Sequence, residues 1–115
     1  MNPDFLNPLA NESCSSNPEN LTQKEIEALA ASIPGWGLDN QAVSKTFSFK
    51  GFSQVMGFVN AIAWIAQRQN HHPEITFGYN TVQVRLFTHS KKGLTRNDFI
   101  CASKIDHLLD NQARS

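Results

Sequence analysis

The order of apolar patterns along the chain predicts an α+β domain: helix, two strands, helix, two strands, helix, with a four-stranded antiparallel sheet covered on one face by helices. Three features point there. A long i, i+3, i+4, i+7 stripe runs from Phe52 to about Gln69. Two alternating apolar/polar segments flank it on each side, in residues 36–49 and 75–88. Capping patterns at Thr22 and Thr95 open the first and last helices.

Residues 1–20 are rich in Asn, Ser and Pro and show no apolar period, so they read as a loosely ordered arm ahead of a single domain over residues 21–112. Phe5, Leu6 and Leu9 are its candidates for docking on the body or on a neighbouring subunit. Thr22 and Glu25 form a T-x-x-E capping box, and Ile26, Leu29, Ala30 and Ile33 follow at helical spacing until Pro34 and Gly35 stop the helix. Trp36 and Leu38 suggest a short strand. Val43 to Phe49 reads as a second, with Val43, Phe47 and Phe49 on one face and Ser44, Thr46 and Ser48 on the other.

Gly51 breaks that strand. The central helix then places Phe52, Val55, Met56, Val59, Ile62, Ala63 and Ala66 on one stripe, while Phe58, Trp64 and Ile65 widen its apolar surface toward a sheet edge or a subunit contact. It must end before Pro73, because the residue preceding a proline is driven out of the α region. Ile75–Tyr79 and Thr81–Thr88 read as the second pair of strands, with Val82, Val84 and Leu86 alternating with Gln83, Arg85 and Phe87. Ser90 to Thr95 make a loop. Thr95 and Asp98 cap the last helix, whose buried side is Phe99, Ala102, Ile105 and Leu109.

The 115-residue chain has 10 basic and 10 acidic residues, and that balance gives no footing for nucleic acid or an anionic membrane surface as partner. No apolar run approaches the roughly 20 residues that span a bilayer, and the first 20 residues lack the basic and apolar regions of a secretion signal, so a cytoplasmic protein is expected. Cys14 and Cys101 make no disulfide framework and are expected as reduced thiols, Cys101 as a small core residue.

Candidate chemistry rests on the histidines. His107 lies inside the last helix and reads as a surface residue. His71 and His72 are adjacent, immediately before Pro73 and Glu74, and adjacent residues point in different directions. They therefore form no HxH or HxxxH metal clamp, and no Cys or carboxylate completes one with His89. Acid–base work fits better, since a neutral imidazole with a pKa near 6.5 both gives and takes protons at neutral pH. There is no G-x-S-x-G, P-loop or G-x-G-x-x-G, so acyl, phosphoryl and dinucleotide chemistry have no support.

The run Asn70-His71-His72-Pro73-Glu74, then Tyr79, then Thr88-His89-Ser90 through Asp98, resembles the pterin-4a-carbinolamine dehydratases. Gly35–Trp36, Phe47–Phe49 and Ala102–Asp106 resemble that family as well, and the likeness spans about residues 22–110. The resemblance implies a dehydratase that converts 4a-hydroxytetrahydropterin to quinonoid dihydropterin, recycling the pterin cofactor of aromatic amino acid hydroxylases. It implies His71, His72 and His89 as catalytic residues, His71 and His89 for proton transfer and His72 for orienting the pterin. It implies Gln67, Pro73, Glu74, Tyr79, Thr88 and Asp98 as substrate-binding positions. No metal and no cofactor beyond the pterin substrate is implied. The implied partners are the small-molecule pterin, further copies of the chain in a homodimer or homotetramer, and a functional link to a hydroxylase.

One departure concerns Gln67, four residues before His71, where the family usually carries a charged side chain, often Glu. On a continuing helix these two residues would stand one turn apart, and Gln67 could hydrogen-bond but supply no charge. Ser90 stands where an acidic residue is common. A second reading from a different class is a non-enzymatic dimerisation, assembly or coactivator-type module on the same fold. Family members are known in animal transcriptional coactivation and in RuBisCO assembly in some bacteria. The histidine trio favours catalysis, and Gln67 is the point on the other side.

Overall fold

The structure, a computed structural model, describes residues 8–39 and 41–113. The expected capping box opens the first helix, α1 (Gln23–Ala30): Glu25 N–H donates to Thr22 Oγ1 at 3.2 Å, and Thr22 N–H donates to Glu25 Oε1 at 2.9 Å. Two otherwise orphaned backbone donors are thereby satisfied. Pro34 and Gly35 end the turn after α1. Gly35 has φ +93°, a left-handed conformation that a side chain would strain.

Four strands follow the expected alternation: β1 (Gly37–Asp39), β2 (Ala42–Ser48), β3 (Glu74–Phe77) and β4 (Thr81–Leu86). They form one antiparallel sheet in the order β1-β2-β4-β3, so the two hairpins join through their second strands. The register sets Val43 against Leu86 and Phe47 against Val82. Those four residues and Val84 are buried on one face. Ser44, Thr46, Ser48, Gln83 and Arg85 occupy the other, which no helix among the described residues covers. A one-residue slip would exchange the two faces, so the alternation itself fixes the pairing.

The central helix α2 (Phe52–Gln69) and the last helix α3 (Arg96–Ala113) cover the apolar face. The buried side of α2 is Val55, Phe58, Ile62, Ile65 and Ala66. Phe58 and Ile65, expected on the surplus surface, belong instead to the core, and Phe52 and Ala63, expected in the core stripe, are exposed. The reason is the aromatic cluster beneath: Phe58 packs against Phe47 at 4.8 Å and Phe49 at 5.1 Å between ring centroids, turning α2 onto that side. Trp64 alone of the surplus residues stays outside, 63% exposed. The α3 side of the core is Phe99, Ile100, Ala102 and Ile105, with Leu109 half-buried.

The strands also end earlier than expected. β3 stops at Phe77, which leaves Tyr79 in the turn, and β4 stops at Leu86. Beyond it Thr88 N–H donates to Gly93 O at 2.9 Å, pinching off a loop that contains a 3-10 turn, His89–Lys91. Residues 8–20 differ from the loosely ordered arm. They begin with a 3-10 turn, Pro8–Asn11, and lie along α3: Leu9 is buried, Lys104 Nζ donates to Ala10 O at 2.8 Å, and Arg96 grips Glu12 through two hydrogen bonds of 2.6 and 2.8 Å. Phe5 and Leu6 lie outside the described residues. No helix among the described residues is long and apolar enough to cross a membrane.

Candidate active site

α2 ends in a way that decides where the histidines point. Asn70 adopts the left-handed conformation at φ 51°, which Asn tolerates better than most side chains, and His71 N–H donates back to Ala66 O at 3.2 Å. His72 precedes Pro73 and leaves the helix. The chain therefore turns between the two rings. His71 is 9% exposed, and His72 is exposed.

The His71 ring meets the start of α3. Its Nε2 lies 2.6 Å from Asp98 Oδ1, and Asp98 is fully buried. The other carboxylate oxygen accepts from Thr88 Oγ1 and from Thr95 N–H, both at 2.9 Å. The hydroxyls of Thr88 and Thr95 are 2.8 Å apart. Thr95 thus helps to start α3 through its backbone N–H, while its hydroxyl joins this buried network. An ionised carboxylate only accepts, so His71 Nε2 carries the hydrogen and Nδ1 remains for chemistry.

Burial is the largest single influence on His71 and opposes its charge. The Asp98 hydrogen bond, the Asp98 charge and the neighbouring Cys14 sulfur together outweigh it, so the His71 pKa is raised from the ordinary 6.5.

His71 and Thr88 open onto a cleft of about 290 Å3. That lies at the lower end of the range for small-molecule sites. Its other walls are Gln69 and Asn70 from the end of α2, Ser90 and Asn97 from around the α3 start, and Cys14, Ser15, Ser16 and Pro18 from the N-terminal segment. The lining is mostly polar, with one titratable ring backed by a buried carboxylate. It can exchange a proton and hydrogen-bond a flat polar ligand.

The remaining expected site residues are placed differently. His89 is exposed at the start of its 3-10 turn, its ring against Phe87 at 4.2 Å between centroids and tilted by 48°, although its neighbours Thr88 and Ser90 both line the cleft. Asp98, expected against substrate, has no exposed surface and meets the cleft only by way of the His71 ring. Gln67 is exposed and does not line the cleft: the helix stops at Gln69, so the one-turn relation to His71 does not arise. Pro73 is half-buried, and Glu74 faces solvent across from Arg85, with 3.3 Å between Arg85 Nη1 and Glu74 Oε1. Tyr79 is 70% exposed with its hydroxyl beside Gly51, at the opposite end of α2 from His71. The 18 residues of α2 span about 27 Å, so Tyr79 cannot share this cleft. His107 pairs with Asp110, 3.4 Å away on α3.

Gln69, Asn70, Asn97 and the N-terminal segment were not foreseen. Asn70 had a usable signal, since Asn is a frequent left-handed residue at helix ends. The N-terminal segment had none. Among the described residues no group of three or more His, Cys, Asp or Glu side chains is gathered as for a metal ion.

The chain is thus a small α+β domain with a buried Asp–His pair at a polar cleft. Comparison with known proteins narrows the class. Residues 19–108 match the pterin 4 alpha carbinolamine dehydratase family, and the chain belongs to it. A protein of Hydrogenovibrio crunogenus is 56% identical over 87 residues, covering 74% of this chain and 77% of its own. One of Nitrosospira multiformis is 52% identical over 89 residues, covering 77% of this chain and 79% of its own. Both are named provisionally as pterin-4-alpha-carbinolamine dehydratases. A crystal structure from Brucella melitensis, described as a transcriptional coactivator/pterin dehydratase, is 35% identical with a TM-score of 0.75, over 78% of this chain and 98% of that one. A pterin dehydratase-like protein, described as a RuBisCO assembly factor in the alpha-carboxysome, shares the fold at a TM-score of 0.54 and 24% identity, over 64% of this chain and 84% of that one.

Proposed function

We propose that the chain dehydrates 4a-hydroxytetrahydropterins to quinonoid dihydropterins, with His71 as the acid and His89 as the base. The observation that carries this reading is the buried Asp98–His71 pair at the mouth of a polar cleft. Asp98 fixes the ring and favours its charged form, so His71 holds a proton for the departing 4a-hydroxyl. The C4a–O bond breaks and water leaves. The electrons of the N5–H bond form the N5–C4a double bond, and His89 takes the N5 proton. Proton and water alone are exchanged, so the step as written asks for no metal and no redox cofactor.

The role of His89 requires its ring to leave Phe87 and turn toward the cleft that Thr88 and Ser90 line. His72, exposed beside His71, orients the pterin. Thr88, Gln69 and Asn97 offer hydrogen bonds to its heterocyclic edge. The protein then recycles the pterin cofactor of an aromatic amino acid hydroxylase in the cytoplasm, as a homodimer or homotetramer.

A stopped-flow dehydration assay on a 4a-hydroxytetrahydropterin tests it. His71→Ala and His89→Ala should each slow turnover by about 10²–10⁴-fold. Unchanged rates in both variants would sink the mechanism.

The second reading is an assembly or coactivator-type module on the same fold, favoured by the exposure of Trp64 on the central helix. An inactive wild-type protein whose self-association is lost in Trp64→Ala would support it instead.

A further inference from the structure

Cys14 belongs to the N-terminal segment and Cys101 to α3, 87 residues apart in sequence, yet their sulfurs are 3.6 Å apart. The family match begins at residue 19, so Cys14 lies outside it and Cys101 within. The segment that carries Cys14 is held down on both sides of the cleft. Cys14 N–H donates to Gln69 Oε1 at 2.8 Å. Ser15 N–H donates to Asn97 Oδ1 and Asn97 Nδ2 donates to Ser15 O, both at 2.9 Å. These bonds make the segment one wall of the cleft that His71 enters.

The two thiols are not equivalent. Cys14 is partly exposed on the cleft wall, while Cys101 is 1% exposed behind it. The hydrogen bond between the two sulfurs lowers the Cys14 pKa against the opposing effect of burial, and the nearby His71 charge adds to the lowering. That same hydrogen bond and burial raise Cys101. An accessible thiol 3.6 Å from a shielded partner is the arrangement of an attacking and a resolving cysteine.

We propose that Cys14 and Cys101 form a peroxide-oxidisable dithiol whose closure ties the N-terminal segment covalently to α3 along the edge of the His71 cleft. In the first step the Cys14 thiolate attacks a peroxide oxygen. The O–O bond breaks, Cys14 becomes a sulfenic acid, and hydroxide leaves to take up a proton. In the second step Cys101 sulfur displaces that hydroxyl from Cys14 sulfur. The S–S bond forms, the S–O bond breaks, and water leaves with the Cys101 proton. Two thiols are oxidised and one hydrogen peroxide is reduced to two waters. Closure brings the sulfurs from 3.6 Å to about 2.05 Å.

The proposal assumes nothing about what the cleft binds, so it stands or falls separately from the dehydratase reading. The test treats the full chain with stoichiometric hydrogen peroxide, quenches with iodoacetamide, and reads intact mass and peptide map. Wild type should lose about 2 Da, resist alkylation at both cysteines and yield a Cys14–Cys101 linked peptide that a reductant separates. In Cys101→Ser or Cys101→Ala, Cys14 should stop at the sulfenic acid and be trapped by dimedone. Cys14→Ser should leave Cys101 unoxidised. Backbone hydrogen exchange in residues 12–16 should slow on oxidation of wild type and recover on reduction. Full alkylation of both cysteines after peroxide, a disulfide joining two chains, or exchange unaffected by oxidation would overturn the proposal.

Discussion

Two aspartates of α3, Asp98 and Asp106, each hold together parts of the chain that are far apart in sequence. Asp106 accepts from Trp36 Nε1 and from Lys45 Nζ, both at 2.9 Å, and is partly exposed. Asp98 accepts from His71, Thr88 and Thr95 and is fully buried. The partners make the difference. An indole N–H and an ammonium are donors, so the Asp106 junction only fixes Trp36, just ahead of β1, and β2 against α3. An imidazole titrates near neutral pH, so the same carboxylate chemistry at Asp98 gives a proton that can be delivered. Burial amplifies this, because the Asp98–His71 pair is shielded from water and the Asp106–Lys45 pair is not.

The contrast can be broken most forcefully at Asp98. Asp98→Ala removes the acceptor of three buried donors and should destabilise the fold by roughly 3–5 kcal/mol, measured by urea denaturation. That is a large part of the 5–15 kcal/mol typical of a domain. The loss should depend on pH in a defined sense. The folded pKa of His71 is raised above 6.5, so its ion pair contributes fully below pH 6.5 and fades as pH rises through the folded value. A difference between wild type and variant that grows with pH in that range would contradict the assignment.

Asp106→Asn should cost less, about 1 kcal/mol, because Lys45 and Asp106 keep water contact. It should leave the dehydration rate within about twofold, since Trp36, Lys45 and Asp106 do not line the His71 cleft. A rate loss as large as that expected for His71→Ala would erase the distinction between the two aspartates. The smallest effect belongs to Gln67→Glu. Gln67 is exposed and away from the cleft, so an added charge is screened and the rate should again change by less than about twofold. An inactive wild type restored by this substitution would return the site to Gln67.

The same contrast explains what was legible in the sequence. The fold was, because period-two and helical spacings and the Thr22–Glu25 box are local signals that the core repeats. The motif residues Trp36 and Asp106 were visible, but not their joining, which depends on how α3 crosses the sheet. The histidines were visible too. Which of them enters the cleft depends on a single left-handed residue, Asn70, which ends α2 immediately before the adjacent pair His71–His72. Tyr79 was misplaced for a related reason. The short strand β3 carries the chain away from His71 toward the opposite end of α2, and spacing in sequence does not record that direction. The wall formed by residues 14–18 had no readable signal, since polar residues without a period dock only through hydrogen bonds to distant partners.

The central claim is that Asp98 raises the His71 pKa and so favours the protonated ring that catalysis uses. The pH dependence of 4a-hydroxytetrahydropterin dehydration, compared between wild type and Asp98→Asn, tests it most directly. Asparagine keeps the shape at position 98 and removes the charge that helps raise the His71 pKa. The account predicts a slower variant whose alkaline limb is displaced toward lower pH. Normalised profiles that superimpose, at an unchanged maximal rate, would contradict it.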